Sequence, residues 1–124
     1  MPRLPFRGSP VFFEVEESFD ALTSKFARVS DMFTQKVLKS FVILTGEDAP
    51  TFLDRMNLCE KLGLVSSASD LIDIRDLRNM ISHEYLSENL IEVYQECLKL
   101  SDKLVRAIQS ADALLDQAVL GNQG

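Results

Sequence analysis

The sequence has no tryptophan, one histidine, two cysteines and five glycines in 124 residues. Its four prolines stand at positions 2, 5, 10 and 50, so the chain beyond position 50 is free of the residue that most strongly interrupts helices. No run of about 18 apolar residues occurs, which predicts no membrane span. A lone histidine, with two cysteines that lack ligand spacing, predicts neither a metal site nor a cofactor.

Basic residues are also scarce: the chain has 13 lysines and arginines and 19 aspartates and glutamates, which gives a net charge of −6. This balance argues against broad electrostatic capture of nucleic acid, which requires a basic surface. An RNA-directed activity would therefore need a local basic cluster. Cys59 and Cys97 are interpreted as reduced, semi-buried thiols, with a disulfide as the less favoured alternative, and they predict a cytoplasmic protein.

Apolar residues recur at steps of three or four along most of the chain, which is the helical period. Ser9-Pro10 suits a helix start, and Gly46 suits a helix end. Between them we expect one long helix, or two nearly collinear helices joined near Ser30-Asp31. The apolar stripe of this segment consists of Phe12, Val15, Phe19, Leu22, Phe26, Val29, Phe33, Val37, Phe41 and Leu44.

Three further helices are predicted. A short one spans about 51–62, a third spans about 68–86 and is opened by a capping pair at Ser67 and Asp70, and a last one runs from Ser87 to about 120. The last helix has a coiled-coil-like seam of Leu90, Tyr94, Cys97, Ser101, Leu104, Ile108, Ala111 and Leu115. The sequence thus predicts an all-α, up-and-down bundle of four to five helices over residues 10–120. Residues 1–9 are expected to be a flexible arm rather than a signal peptide, and 121–124 a flexible tail.

The third helix is apolar on two sides. Its bundle face consists of Leu71, Ile74, Leu77, Ile81 and Tyr85. Its second face consists of Ile72, Asn79, His83 and Leu86. A helix apolar on two sides is central in its domain or covered by a second subunit. Because polar groups interrupt the second face, we favour a subunit and predict a homodimer with this face in the interface.

His83, the only histidine, lies four residues after Asn79, whose amide can orient the imidazole. Arg78 lies five residues before His83, about 140° round an ideal helix, and its long side chain can curl toward the same groove to supply a phosphate-binding cation. RNA cleavage without a metal needs a base, an acid and such a cation, and a two-fold axis would bring together two copies of each side chain. The structural alternative is that His83 is a polar surface residue or a capped core residue, with Arg78 paired to a nearby acid such as Asp76 or Glu84.

The segment Arg78-Asn79-x-x-x-His83-x-Tyr85 resembles the motif of the HEPN superfamily (higher eukaryotes and prokaryotes nucleotide-binding domain). The trailing tyrosine is similar to that of HepT-like toxins from HEPN/MNT toxin–antitoxin pairs, and the likeness extends over essentially the whole chain. The resemblance implies a homodimeric, metal-independent endoribonuclease with Arg78 and His83 as catalytic pair and Asn79 in support. It also implies an MNT-type nucleotidyltransferase antitoxin that neutralises the toxin by transferring AMP to Tyr85.

Three classes of function therefore remain open. The first is a ribonuclease toxin acting on RNA. The second is a noncatalytic nucleotide- or substrate-binding subunit of a minimal nucleotidyltransferase. The third is a helical dimer with no nucleotide role.

Overall fold

The computed structural model describes the backbone of residues 9–83 and 90–123, with side chains for 9–10, 13–81 and 90–118. Throughout these ranges the chain is helical except for short connections, which confirms the predicted all-α bundle. Its elements are α1 (Pro10–Asp31), a π-helical segment (Met32–Leu38), α2 (Lys39–Thr45), α3 (Phe52–Lys61), α4 (Ala68–His83) and α5 (Leu90–Gln123). Helix α1 packs against α4 and α5, and α3 packs against α4. None of the described helices is both long enough and apolar enough to cross a membrane.

The first three elements form one rod without a break. Asp31 and Lys39, at the two ends of the π-helical segment, both have right-handed helical backbone angles. The predicted joint near Ser30-Asp31 is therefore a change of hydrogen-bonding pattern rather than a turn. The rod ends at Gly46, whose φ of +73° lies in the left-handed region that glycine adopts at low cost.

The π-helical segment shifts the register of the buried face. The predicted stripe continues from Phe33 to Val37 and Leu44, but Val37 is 38% exposed and Leu44 is 85% exposed. The buried residues are instead Phe33, Leu38 and Val42. A π turn closes i→i+5 hydrogen bonds and so contains an extra residue, which displaces each later position by one. Among the described side chains, the predicted stripe is correct from Val15 to Phe33. Beyond Phe33, Val37 and Leu44 are wrong, whereas Phe41 is still partly buried against the core.

Helix α3 is short and well capped. The Thr51 hydroxyl accepts a hydrogen bond from the backbone N–H of Asp54 at 3.0 Å, as an N-cap does. Met56 and Cys59, which are three residues apart and so share one face, are fully buried. The helix is followed by Gly63 at a φ of +81°, where the chain turns and enters the core.

Helix α4 is tied at its start to both neighbours. Ser67 Oγ accepts from the backbone N–H of Asp70 at 3.1 Å, which is the predicted cap. The Asp70 carboxylate does not close a reciprocal box but accepts from Lys103 Nζ of α5 at 3.1 Å. Glu60 of α3 accepts from the backbone N–H of Ala68 at 3.1 Å. These contacts fix α4 between α3 and α5.

Helix α5 confirms the predicted seam. Alternate seam positions are fully buried and the others are partly buried, and Val93 and Leu100 widen the buried face. The helix continues to Gln123, so it passes through Gly121, a residue expected to lie in a flexible tail. The predicted cap Ser87 lies outside the described residues.

Candidate functional site

Three of the predicted site residues, Arg78, Asn79 and His83, lie near the end of α4. The helix buries Leu71, Ile74 and Leu77 toward the bundle, as predicted, and this orientation leaves Asn79 exposed. His83 is the last residue of the helix. The side chain of His83 and the whole of Tyr85 and Leu86 fall outside the described residues. The described part of the motif is therefore Arg78 and Asn79.

Arg78 forms a two-point ion pair with Asp31, 47 residues earlier in the chain. Its Nε donates to Asp31 Oδ1 and its Nη2 donates to Oδ2, both at 2.7 Å. The two side chains are 26% and 45% exposed, so the pair lies at the surface between α1 and α4. The suggested alternative partner Asp76 contacts a different residue, Arg75, at 3.5 Å. Arg78 is thus joined to the start of the π-helical segment.

The pair keeps both groups charged near neutral pH. The hydrogen bond from Arg78 lowers the pKa of the Asp31 carboxyl, more than its partial burial raises it. The same hydrogen bond raises the pKa of the Arg78 guanidinium. A guanidinium held at two points has a fixed plane, which is what orients it toward a third group.

Beside the ion pair lies an open cleft of about 770 Å³ between the rod and α4. Its lining residues are Arg28, Asp31, Met32, Gln35, Lys36, Arg78 and Asn79. Three of them are cations and one is an anion, in a chain whose net charge is −6. The cleft is therefore the local basic cluster that an RNA-directed activity would need.

The cations contributed by the rod were not identified from the sequence. Within the described part of the chain, neither Arg28 nor Lys36 forms an ion pair. A local signal exists, because Arg28, Asp31 and Gln35 follow one another at steps of three and four and so share one side of the rod. The sequence does not reveal that α4 places Arg78 against that side.

A second cavity, of about 390 Å³, lies between the first half of α1 and the start of α5. Its walls are mostly apolar, and its one charged lining residue is the acid Glu14. A phosphate would meet no cation there among the described residues. This cavity does not suit the predicted chemistry.

The cysteines take no part in either cavity. Both are buried and unpaired, as expected, and burial raises the pKa of the Cys59 thiol to about 11. Burial also raises the pKa of Cys97, although a hydrogen bond with Ser101 acts in the opposite direction. A thiol with a raised pKa is a poor nucleophile and a poor metal ligand near neutral pH. Across residues 9–83 and 90–123, no group of three or more His, Cys, Asp or Glu is arranged to hold a metal ion.

The fold and the cleft define a class: a small helical bundle with a basic cleft at its motif-bearing helix. No protein-family model matches the chain, and no curated protein or solved structure matches it either.

Proposed function

We propose that this chain is a HEPN-type, HepT-like endoribonuclease toxin that cleaves RNA without a metal ion. The observation that carries the proposal is the cleft, where Arg78 stands with Arg28 and Lys36 in an otherwise acidic protein. The motif resemblance suggests the class of reaction. The cleft supports it because its cations would attract the RNA phosphate to Arg78. His83 follows Arg78 by five residues on the same helix.

In the proposed reaction, one His83 imidazole takes the proton of a ribose 2′-hydroxyl. The 2′-oxygen attacks the adjacent phosphorus, and the bond to the 5′-oxygen breaks. A second imidazole protonates that leaving oxygen, which yields a 2′,3′-cyclic phosphate and a free 5′-hydroxyl. Arg78 stabilises the charge on the phosphate oxygens, with Asn79 in support. Asp31 acts through Arg78, because its carboxylate holds the guanidinium plane.

Two imidazoles require two chains, so the proposal includes a homodimer. The interface would consist of the second face of α4, namely Ile72, Asn79, His83 and Leu86. In the single chain Ile72 is partly buried and Asn79 is exposed. A stable interface should bury more than about 1,000 Å² in total. A monomeric mass in solution at micromolar concentration would contradict this part of the proposal.

The proposal also includes neutralisation by an MNT-type nucleotidyltransferase that transfers AMP to Tyr85. Each added phosphodiester brings a negative charge that would compete with RNA for Arg78. Intact-mass measurement after co-expression should show AMP-sized increments that disappear in Tyr85→Phe. Increments that persist in this variant would identify another acceptor.

One observation favours the second class, a noncatalytic binding subunit of a nucleotidyltransferase. The Nε and Nη2 donors of Arg78 already bind a carboxylate at short distance. A phosphate approaching this edge of the guanidinium must compete with Asp31. In this alternative Arg78 joins α1 to α4, and the cleft holds a nucleotide without cutting RNA.

The deciding experiment is RNA cleavage by the purified protein in the presence of EDTA. His83→Ala should abolish cleavage, since a positioned acid or base contributes about 10²–10⁴-fold and both proton transfers use this residue. Arg78→Ala should reduce it severely, and Arg78→Lys should restore little, because an ammonium lacks the planar two-point contact. The control is Arg106→Ala, which removes an exposed arginine of α5 far along the chain from the motif.

Before the rate of a variant is interpreted, its mass in solution must show that it forms the same oligomer as wild type. If His83→Ala cleaves as fast as wild type, the catalytic assignment is wrong. If unmodified wild type free of its partner cleaves no RNA, the binding-subunit alternative replaces the ribonuclease.

A further inference from the structure

We infer that Arg28 and Lys36 form a binding track for the phosphates of single-stranded RNA, on the wall of the cleft opposite Arg78. The inference rests on the proposed function only for the identity of the polymer as RNA. The cations themselves are placed by the rod, through the last turn of α1 and the π-helical segment.

The first argument is electrostatic. The carboxylate that lines the cleft, Asp31, is bound by Arg78 at two points. Arg28 and Lys36 have no ion pair among the described residues, although acids outnumber bases by 19 to 13 in the chain. Both side chains are exposed, so that, as far as the described residues go, their charges are available to an anion without breaking an existing contact. The described lining of the cleft therefore has positive charge that no described acid neutralises.

The second argument is geometric. Arg28 and Lys36 are eight residues apart, which corresponds to at most about 12 Å along the rod axis, the length of eight α-helical residues. Arg78 reaches the same cleft from a different helix. A linear polyanion can contact all three cations at once, because it has phosphates along its whole length. A mononucleotide has its phosphates at one end only and would use fewer of them.

The third argument concerns whether the RNA is single-stranded or double-stranded. The same cleft is also lined by the exposed Met32 and by two amide side chains, Gln35 of the rod and Asn79 of α4. Amides can hydrogen-bond base edges, and a thioether offers apolar surface to a base plane. Base planes and Watson–Crick edges are accessible in single strands, whereas in an A-form duplex the planes are stacked and the Watson–Crick edges are paired. We therefore assign the track to unpaired RNA.

The test measures binding of a labelled 12-nucleotide single-stranded RNA to His83→Ala protein, which keeps the probe intact. Each phosphate contact contributes about −0.7 to the slope of log K against log salt concentration. Adding Arg28→Ala and Lys36→Ala should make the slope shallower by about 1.4 and weaken binding about 25-fold near 0.1 M salt. The charge-matched control adds Lys99→Ala and Arg106→Ala on α5 and should leave slope and affinity unchanged.

Binding by the Arg28/Lys36 variant at parental affinity would overturn the inference, as would an equal loss in the control variant. Full displacement of the probe by equimolar AMP, or equal binding of the same sequence as a duplex, would also overturn it. The two proposals fail separately. If the track binds RNA but wild type cuts none, the ribonuclease is wrong and the track stands. If wild type cuts RNA, and the Arg28/Lys36 variant with His83 intact cuts it equally fast at subsaturating RNA concentration, the track is wrong and the ribonuclease stands.

Discussion

The register of the π-helical segment can be tested with two neighbouring substitutions, Val37→Ala and Leu38→Ala. A continuous α-helical stripe makes Val37 the core residue, whereas the structure makes Leu38 the core residue. Leu38 is 0% exposed and belongs to the hydrophobic core, and Val37 is 38% exposed. The two variants therefore distinguish the two registers directly.

The expected magnitudes differ widely. A fully buried Leu→Ala substitution removes apolar contacts and leaves a cavity, which costs about 2–5 kcal/mol. Val37→Ala removes a side chain that is already partly in water, and alanine favours helix over valine by about 0.5 kcal/mol, so its free energy of unfolding should change by less than about 0.5 kcal/mol. Since a domain of this size is stable by about 5–15 kcal/mol, both variants should still fold.

Urea unfolding followed by far-ultraviolet circular dichroism measures the difference, because the chain has no tryptophan to report by fluorescence. With a slope of about 2 kcal/mol/M, the middle of the usual range, Leu38→Ala should lower the midpoint by about 1–2.5 M and Val37→Ala should barely move it. Protein concentration must be held equal, since association changes apparent stability. A larger loss in Val37→Ala than in Leu38→Ala would refute the shifted register.

Three other predictions concern stability and reactivity. Asp31→Asn should lower the free energy of unfolding by about 0.5–1 kcal/mol at pH 7, the range of a surface pair with good geometry. Because Arg78 lowers the pKa of Asp31 in the folded state, this contribution is present above the unfolded pKa and is lost as pH falls through the folded one. Urea unfolding at pH 7 and pH 3 should show the gap narrow, and an unchanged gap would contradict the pairing. Cys59 and Cys97 should react slowly with a thiol reagent at pH 7.5 and rapidly in urea, because both are buried with raised pKa values; fast reaction in the native protein would count against their burial. Thr51→Ala should cost about 1 kcal/mol by thermal or urea unfolding through loss of the α3 cap, and a neutral result would mean that water replaces the hydroxyl.

Much of the fold is predictable because helices are encoded locally. The steps of three and four along α4 and α5 specify which side is apolar, and those sides are the buried ones. The stops at Gly46 and Gly63 are also local, since both glycines have a positive φ that other residues adopt at a cost. The cap at Ser67 involves residues three apart and was predicted for the same reason.

The candidate site is less predictable because it combines distant segments. The motif identifies Arg78 and Asn79, and the structure places both at one cleft. The roles of His83 and Tyr85 remain predictions from the resemblance. Arg28 and Lys36 were missed because nothing in the local sequence distinguishes them from other exposed cations. Only the packing of α4 beside the rod places them in a cleft with Arg78.

By itself, the sequence determined the all-α class, the approximate span of each helix, the apolar face of α4 and the position of the motif at the end of that helix. These features depend on contacts between residues a few positions apart, which spacing and capping chemistry specify. The tertiary structure decided the register after Phe33, the pairing of Arg78 with Asp31, and the cleft that collects three cations in an acidic protein. Those features depend on how α1 lies against α4, and that arrangement minimises the free energy of the whole bundle rather than of any local segment.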